Sequence, residues 1–402
     1  MNILFVHEID WQKKVVLDIH TLAESLSLLG HRVYAIDYES MWEQDGSVIS
    51  RTKEIDGVSR ALLGSSVCLI RPGFVKLPVL SRISAAVSHC WGIRRVIEEK
   101  SIDAVVLYSV PTNGLQTLYW TRKLGVPVVF RSIDILNQLV ANPVLSSVTK
   151  FLERQVYSRV DRMLTLTPKL SEYVIDLGAD PDKVELLPMP VDTGVFFPSD
   201  NRKPYGNEQI VLFMGTLFDF SGLDKFIPQF PRILEEIPSA RLQIVGDGPQ
   251  RPKLEKIVAE LGLQNEVLIT GFKPYQMMPQ YINSADVCIN TFITTGATRD
   301  IFPGKTVQFL ACGKPLVATA LPGMKAMIAG EEQGVVYVDD AAEMADEVVS
   351  LLRSPERRQG IGQNGLGYVR QIHDYREIAR RLESILEGLA ERKHKEIRYF
   401  TE

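Results

Sequence analysis

The sequence predicts an α/β chain made of two consecutive doubly wound domains, and three observations predict it. Apolar runs of strand length alternate with segments of helical periodicity along the chain. That alternation starts afresh once, after a polar stretch with Pro and Gly over residues 199–207. A length of 402 residues suits two domains of ordinary size, each able to bury its own core. In order, Asn2–Val6 is a strand, residues 15–29 a helix closed by Gly30, and residues 31–36 the next strand, one βαβ unit. Residues 39–56 are polar and irregular and carry no assignable element. A strand at 67–70 precedes a helix over 77–97. Strands at 103–107, 126–130 and 163–166 then alternate with helices at 114–124 and 144–158. The second series runs through strands at 210–214, 241–245, 267–270 and 286–290, with helices at 223–237 and 252–261. A short helix at 306–312 and strands at 316–319 and 335–338 follow, then helices at 341–352, 361–372 and 375–390.

Composition narrows the function classes. Hydrophobic residues are 45% and charged residues 23%, the balance of a soluble globular protein. Lys plus Arg number 45 and Asp plus Glu 49, a net charge of −4 that argues against a whole-surface nucleic-acid binder. Cys68, Cys90, Cys288 and Cys312 lie in apolar contexts without metal-type spacing, so reduced buried thiols in a cytoplasmic protein are expected. The opening MNILFVHEID is too short an apolar run for a signal peptide, and no run of about 18 apolar residues occurs. Asp180-Pro181-Asp182 follows Gly178 and reads as a turn rather than a metal site. The six histidines have no ligand spacing, and no metal or cofactor is expected.

Chemistry concentrates in residues 292–323. A strand-like run, Val287–Asn290, leads into a polar loop holding Arg299 and Asp300, then Pro303-Gly304-Lys305 and the short helix. The first helical turn there offers unpaired amides to an anion, with Arg299 and Lys305 nearby. A lysine behind Pro-Gly at a helix start is locally unfavourable unless an anion accompanies it. Upstream, Gly246-Asp247-Gly248-Pro249 follows a strand, and the glycines at 246 and 248 would let backbone pass close to a ligand. Gly271-Phe272-Lys273 would flank a base. His7, just beyond the first strand, could carry a proton; a packed or solvated histidine is the other reading.

These segments resemble the retaining family-4 glycosyltransferases of the GT-B fold. FLACGKPLVAT is similar to that family's E-A-M-A-C-G-x-P-V-V-A, LAESLSLLGHRV to its LAxxLxxxGHxV opening, and residues 161–198 to its run into the interdomain linker. The resemblance implies two Rossmann-like domains facing each other across a cleft. Residues 1–198 would form the acceptor-side domain, 199–207 a linker and 208–374 the nucleotide-sugar domain, with a helix over 375–402 packing back on the first. It implies transfer of a sugar from a nucleotide diphosphate sugar to a hydroxyl acceptor, in polysaccharide or glycolipid synthesis. The leaving diphosphate itself would help to activate the incoming hydroxyl. Two family glutamates separated by seven residues fall on Asp300, which would hold donor hydroxyls, and Gln308, which would hold the ribose. Arg299, Gly304 and Lys305 would meet the phosphates. The family's His-Asp pair falls on Ile133-Asp134, so Asp134 would line the acceptor side; its other reading is a helix N-cap.

The sequence also departs from the family. Where relatives read G-R-L-x-x-x-K-G, this chain reads Gly215-Thr216-Leu217 and onward to Ser221-Gly222, so both diphosphate-binding cations are gone. A family Gly-Gly pair is replaced by Lys13-Lys14 at the start of the first helix, which would meet donor phosphates in trans or form a solvated pair. The helix over 77–97 carries Arg82, His89, Arg94, Arg95 and Trp91, and suits either an anionic membrane surface or an ordinary sheet-covering helix. Relatives with lipid-linked acceptors add the inner face of the membrane as a location. A catalytically silent subunit of the same fold and a sugar-nucleotide isomerase are the competing functions.

Overall fold

The computed structural model describes residues 1–39, 48–78, 80–140, 142–199 and 207–401. The chain divides into two compact units, Met1–Pro190 with Tyr375–Glu402, and Val191–Asp374. Most of the stretch at 199–207 lies outside the described residues, as does part of 39–56.

The first unit contains β1 (Asn2–Val6), α1 (Asp18–Leu28), β2 (Arg32–Ile36), β3 (Lys53–Val58), β4 (Val67–Arg71), α2 (Leu80–Glu99), β5 (Ala104–Leu107) and α3 (Gly114–Leu124). It continues through β6 (Val128–Ser132), α4 (Pro143–Tyr157), β7 (Arg162–Thr165), α5 (Pro168–Asp176) and β8 (Val184–Leu186). The strands lie in the order β3-β4-β2-β1-β5-β6-β7-β8. All neighbours are parallel except β3 with β4. Central strands such as β1 and β5 are nearly continuous apolar runs because helices cover both faces of the sheet. Ile93, Val96, Trp120, Val156 and Tyr157 from α2, α3 and α4 pack on one face. On the other, Ile19, Leu22 and Leu26 of α1 meet Ile378, Leu382 and Leu386 of the C-terminal helix.

Strand β3 falls in the stretch that sequence reasoning left unassigned. It is an exposed edge strand carrying Lys53, Glu54 and Asp56, with a register shift between Ile55 and Val58. Charges and a bulge protect a sheet edge from further pairing, and they also erase the apolar alternation that marks a strand. Helix α1 starts at Asp18, three residues later than expected. Lys13 and Lys14 therefore do not open the helix. They lie in a turn whose Lys13 amide donates to Asp10 Oδ1 at 3.1 Å and whose Lys14 amide donates to the Asp10 carbonyl at 3.0 Å.

The second unit contains β9 (Gln209–Met214), α6 (Leu223–Phe226), α7 (Phe230–Glu236), β10 (Ala240–Val245), α8 (Arg251–Glu260), β11 (Val267–Ile269), α9 (Met278–Ser284) and β12 (Val287–Asn290). α10 (Lys305–Ala311), β13 (Leu316–Thr319), α11 (Pro322–Lys325), β14 (Val335–Val338), α12 (Ala341–Arg353) and α13 (Pro355–Ile372) follow. Its sheet is wholly parallel, in the order β11-β10-β9-β12-β13-β14. Strand order reverses between β9 and β12, the switch point where open α/β sheets bind ligands at their carboxyl ends. The helix expected over 223–237 is broken into α6 and α7 by a tight turn at Ile227–Gln229. Pro228 lacks the amide that a continuous helix would use there. The last helix, α14 (Tyr375–Thr401), belongs to the first unit.

Candidate functional site

At the switch point of the second unit, α10 begins directly beside the ends of β9 and β12. Lys305 runs inward, with Nζ 3.8 Å from the Phe213 ring centroid and 4.3 Å from that of Phe292. A Cβ at Gly215 would stand 3.7 Å from the same nitrogen. Nζ is buried and makes no hydrogen bond among the described residues. Ring faces attract a cation but do not replace water or an anion. Burial therefore pushes the Lys305 ammonium well below the ordinary lysine range, opposed only by the neighbouring Cys288.

Two more polar groups, one next to Lys305 in sequence and one at the end of β12, lack partners among the described residues. Thr306 Oγ1 and both amide atoms of Asn290 are buried and unbonded. The strand period of two turns Cys288 and Asn290 to the same side of β12. Buried polar atoms are almost always satisfied, so these exceptions at the end of β12 and the start of α10 make this end of the sheet the candidate ligand site. Sequence reasoning found Lys305 but read Asn290 as the end of a buried strand. The available signal was an amide closing an otherwise apolar run, at a strand's carboxyl end.

The other expected donor residues sort into local roles. Arg299 is 65% exposed and lies 3.8 Å from the Asp300 carboxylate. The loop before it is stapled by Thr295 and Thr298. The Thr295 amide donates to Thr298 Oγ1 at 2.8 Å and the Thr298 amide to Thr295 Oγ1 at 3.2 Å. Asp300 is clamped by its backbone, since a Cβ at Gly323 would fall 2.3 Å from its carbonyl oxygen. Gln308 is one turn beyond Lys305 on α10, half-buried, and Gly304 precedes the helix. Thr216 is half-buried, and its carbonyl accepts from Phe218. Ser221 is only 2% exposed, and its carbonyl accepts from Thr291 Oγ1, so that position joins the loop to β12.

Gly246 and Gly248 prove to be required by the fold itself. Gly246 has φ +156°, and a Cβ on it would stand 1.9 Å from the Gly215 carbonyl oxygen. One on Gly248 would stand 2.7 Å from the Leu217 amide nitrogen. The two strand-end loops lie backbone to backbone, with the Gly215 amide donating to the Val245 carbonyl and that of Leu217 to the Asp247 carbonyl, both at 3.0 Å. The space expected for a ligand at these two glycines is filled by chain. Phe272 remains largely exposed beside them.

The carboxyl edge of the first unit's sheet carries a different arrangement. Arg131, at the end of β6, is fully buried and donates Nη2 to Asp18 Oδ2 at 2.8 Å. Its Nη1 donates to the Leu187 carbonyl at 2.5 Å and that of Thr165 at 3.3 Å. Tyr108 Oη donates to Asp18 Oδ1 at 2.7 Å. His7 stacks on Tyr108 with centroids 5.4 Å apart, and its Nδ1 accepts from the Glu8 amide at 2.8 Å. Burial, with smaller contributions from His20 and Lys14, lowers His7 to about 3. A buried ring held neutral, with Nδ1 already engaged, favours the packed reading of His7 over the proton carrier. Asp134 is half-buried with no side-chain hydrogen bond among the described residues, and burial followed by the nearby Asp18 raises it to about 6. It caps no helix: the short turn at Leu136–Leu139 is preceded by Ile135 and has no side-chain cap. Lys13 and Lys14 are exposed in this unit.

Asp180 Oδ1 accepts from the Asp182 amide at 3.1 Å, which makes Asp180-Pro181-Asp182 the expected turn. Among the described residues, Glu54, Asp56 and Cys68 gather potential ligand atoms. Glu54 already pairs with Lys100 at 2.6 Å, and burial pushes the Cys68 thiol up, so the group does not suit a cation.

Comparison with known proteins fits this picture. Residues 18–190 match the profile described as glycosyl transferase 4-like domain, and residues 208–354 that of glycosyl transferases group 1. A D-inositol 3-phosphate glycosyltransferase of Segniliparus rotundus is 26% identical over 61% of this chain and 58% of its own. A GDP-mannose-dependent alpha-(1-6)-phosphatidylinositol monomannoside mannosyltransferase of Mycolicibacterium smegmatis is 29% identical over 52% of this chain and 57% of its own. The chain thus spans somewhat over half the length of these curated relatives. Among solved structures, the sucrose-phosphate synthase of Thermosynechococcus elongatus superposes with TM-score 0.74 at 17% identity, covering 96% of this chain and 98% of that one. Anabaena HepE in complex with UDP-glucose gives 0.72 at 17% identity, with 96% and 100% covered. At those identities the likeness speaks for the fold. With one family profile on each of its two units and that fold throughout, the chain belongs to the glycosyl transferase group 1 family and has the GT-B fold.

Proposed function

We propose that the chain is a retaining glycosyltransferase moving a sugar from a nucleoside diphosphate donor to a hydroxyl acceptor. The observation that carries this reading is the buried, unbonded ammonium of Lys305 at the switch point of the second unit. Such a group is costly unless a ligand brings negative charge to it, and a diphosphate does. It takes the place of the two cations that Thr216 and Ser221 replace. Asp300 holds donor hydroxyls, Gln308 the ribose, and Phe272 lies against the base. Gly215, where a Cβ would stand 3.7 Å from Nζ, and Gly304 at the start of α10 take the phosphate oxygens, and Arg299 adds long-range attraction. The bond from the sugar's anomeric carbon to the diphosphate breaks as one to the acceptor oxygen forms on the same face. The acceptor's proton passes to the departing diphosphate, whose charge Lys305 stabilises. Asp134, with a carboxyl near 6, orients the acceptor hydroxyl. The Lys305 charge does this without a metal ion.

The relatives' names include an inositol phosphate and a phosphatidylinositol mannoside, which supports a polyol acceptor, lipid-linked in the finer form of this reading. Contact with an anionic membrane surface through residues 77–97 belongs with that form. The test is calorimetric titration with UDP-, GDP- and ADP-sugars, followed by a donor-hydrolysis assay on the best ligand. Binding of one donor with slow release of its sugar is the expected result. Binding to none would leave a silent subunit, and an altered sugar formed without acceptor would identify an isomerase.

A further inference from the structure

We infer that Phe218, Phe220 and Phe292 form an aromatic platform for the sugar of the nucleotide donor, and so help to decide which sugar the chain transfers. This rests on the donor reading above and adds to it the part of the ligand beyond the diphosphate. The rings make a row that begins at the Lys305 ammonium. Nζ lies 4.3 Å from the Phe292 ring centroid, Phe292 stands 5.3 Å from Phe220 at an interplanar angle of 80°, and Phe220 stands 5.2 Å from Phe218. Phe292 and Phe220 are half-buried, and Phe218, at the end of the row, is 39% exposed. Phe218 and Phe220 lie between Thr216 and Ser221, in the loop where relatives carry their diphosphate-binding cations. Neutral rings do not replace those cations at a diphosphate, so they serve a less polar part of the ligand.

The loop that carries Phe218 and Phe220 is held at both ends. Near its start the Leu217 amide donates to the Asp247 carbonyl at 3.0 Å, and Gln250 Nε2 donates to Asp219 Oδ1. Toward its end the Ile293 amide donates to the Phe220 carbonyl at 3.0 Å, and Thr291 Oγ1 to that of Ser221. Gly222, at φ +70°, lies so close to this neighbour that a Cβ on it would stand 1.9 Å from the Thr291 carbonyl oxygen. Rings on a fixed loop have little freedom left to lose when a ligand settles on them. Strand order decides which part of the donor meets the row. From the edge inward the strands run β11-β10-β9-β12. Phe272, assigned to the base, follows β11, and Lys305, assigned to the diphosphate, stands where β9 and β12 adjoin. Phe292 directly follows β12 and leads into the loop that bears Asp300, on the side of the diphosphate away from the base. The sugar belongs on that side. A pyranose is polar at its rim and apolar across its C–H face, so Asp300 takes rim hydroxyls while the rings take the face.

The test is calorimetric titration of UDP, GDP and ADP, and of UDP-glucose, UDP-galactose, GDP-mannose and ADP-glucose, into the full chain and its variants. The nucleotide that binds the parent chain best is then compared with its sugar conjugate. Phe218→Ala and Phe220→Leu should each weaken the conjugate by about three- to tenfold, while affinity for the bare nucleoside diphosphate stays within about twofold. Phe218→Trp keeps an aromatic face and should bind the conjugate at least as well as the parent, which a ring that only packs the loop would not predict. Lys305→Met should weaken both ligands. Equal losses for bare and conjugated nucleotide would overturn the proposal by placing the rings at the base or the diphosphate. Phenylalanine variants that bind the conjugate like the parent, while Lys305→Met does not, would overturn the platform and leave the donor reading standing. Failure of every ligand to bind the parent chain would overturn both.

Discussion

Arg131 and Lys305 are both buried cations at the carboxyl edge of a parallel sheet, one in each unit, yet their surroundings differ. Arg131 meets a carboxylate and backbone carbonyls, and its charge is matched within the fold. Lys305 meets two aromatic rings and a glycine, with no hydrogen-bond acceptor among the described residues. A matched charge holds a structure together, whereas an unmatched one persists in a folded protein only where something else matches it. The first unit's edge is thus locked by its own ion pair. The edge of the second carries a cation that the described residues leave unmatched.

The sharpest attack on this contrast removes the matched cation. Arg131→Met leaves Asp18 buried without its partner and should destabilise the protein by about 3–5 kcal/mol in urea unfolding. Adding Asp18→Asn should recover part of that loss, since the two groups are directly bonded. If Arg131→Met were no worse than neutral, the lock would be no lock. Asp134→Asn probes the unbonded carboxyl on the same edge. Its folded value, about 6, lies above the ordinary 3.8, so its ionised form costs stability above pH 6, and the cost disappears below about pH 4. The variant should therefore be more stable by on the order of 1 kcal/mol at pH 7.5, solvent screening included, and equal to the parent in acid. Arg299→Ala should do least, changing nucleotide affinity by about threefold or less and stability by under about 0.5 kcal/mol, because its side chain is solvated. A large effect would move the phosphate site toward the loop and away from Lys305.

Much of the fold was legible because covered parallel strands read as plain apolar runs. The parts that were not have physical reasons. Strand β3 disguises itself with the charges that protect an edge. The pairing of Asp18 with Arg131 joins residues far apart in sequence, and only the sheet brings them together. Lys305 was legible because a cation one residue into a helix behind Pro-Gly is locally unfavourable. Gly246 and Gly248 were legible as necessary glycines, but their cause is loop-to-loop packing, which the pattern cannot distinguish from ligand approach. Lys13 and Lys14 were misplaced because the apolar periodicity of α1 extends back past its first hydrogen-bonded turn.

The most direct measurement is calorimetric titration of the best-binding nucleoside diphosphate sugar into the parent chain and into Lys305→Met, with the melting temperature of each. Methionine keeps the length and apolar packing of the side chain while removing the charge. Affinity should fall by about a hundredfold or more while the unliganded protein melts at a higher temperature. Unchanged affinity, or a variant that melts lower than the parent, would contradict the assignment of Lys305 as a charge held for its ligand.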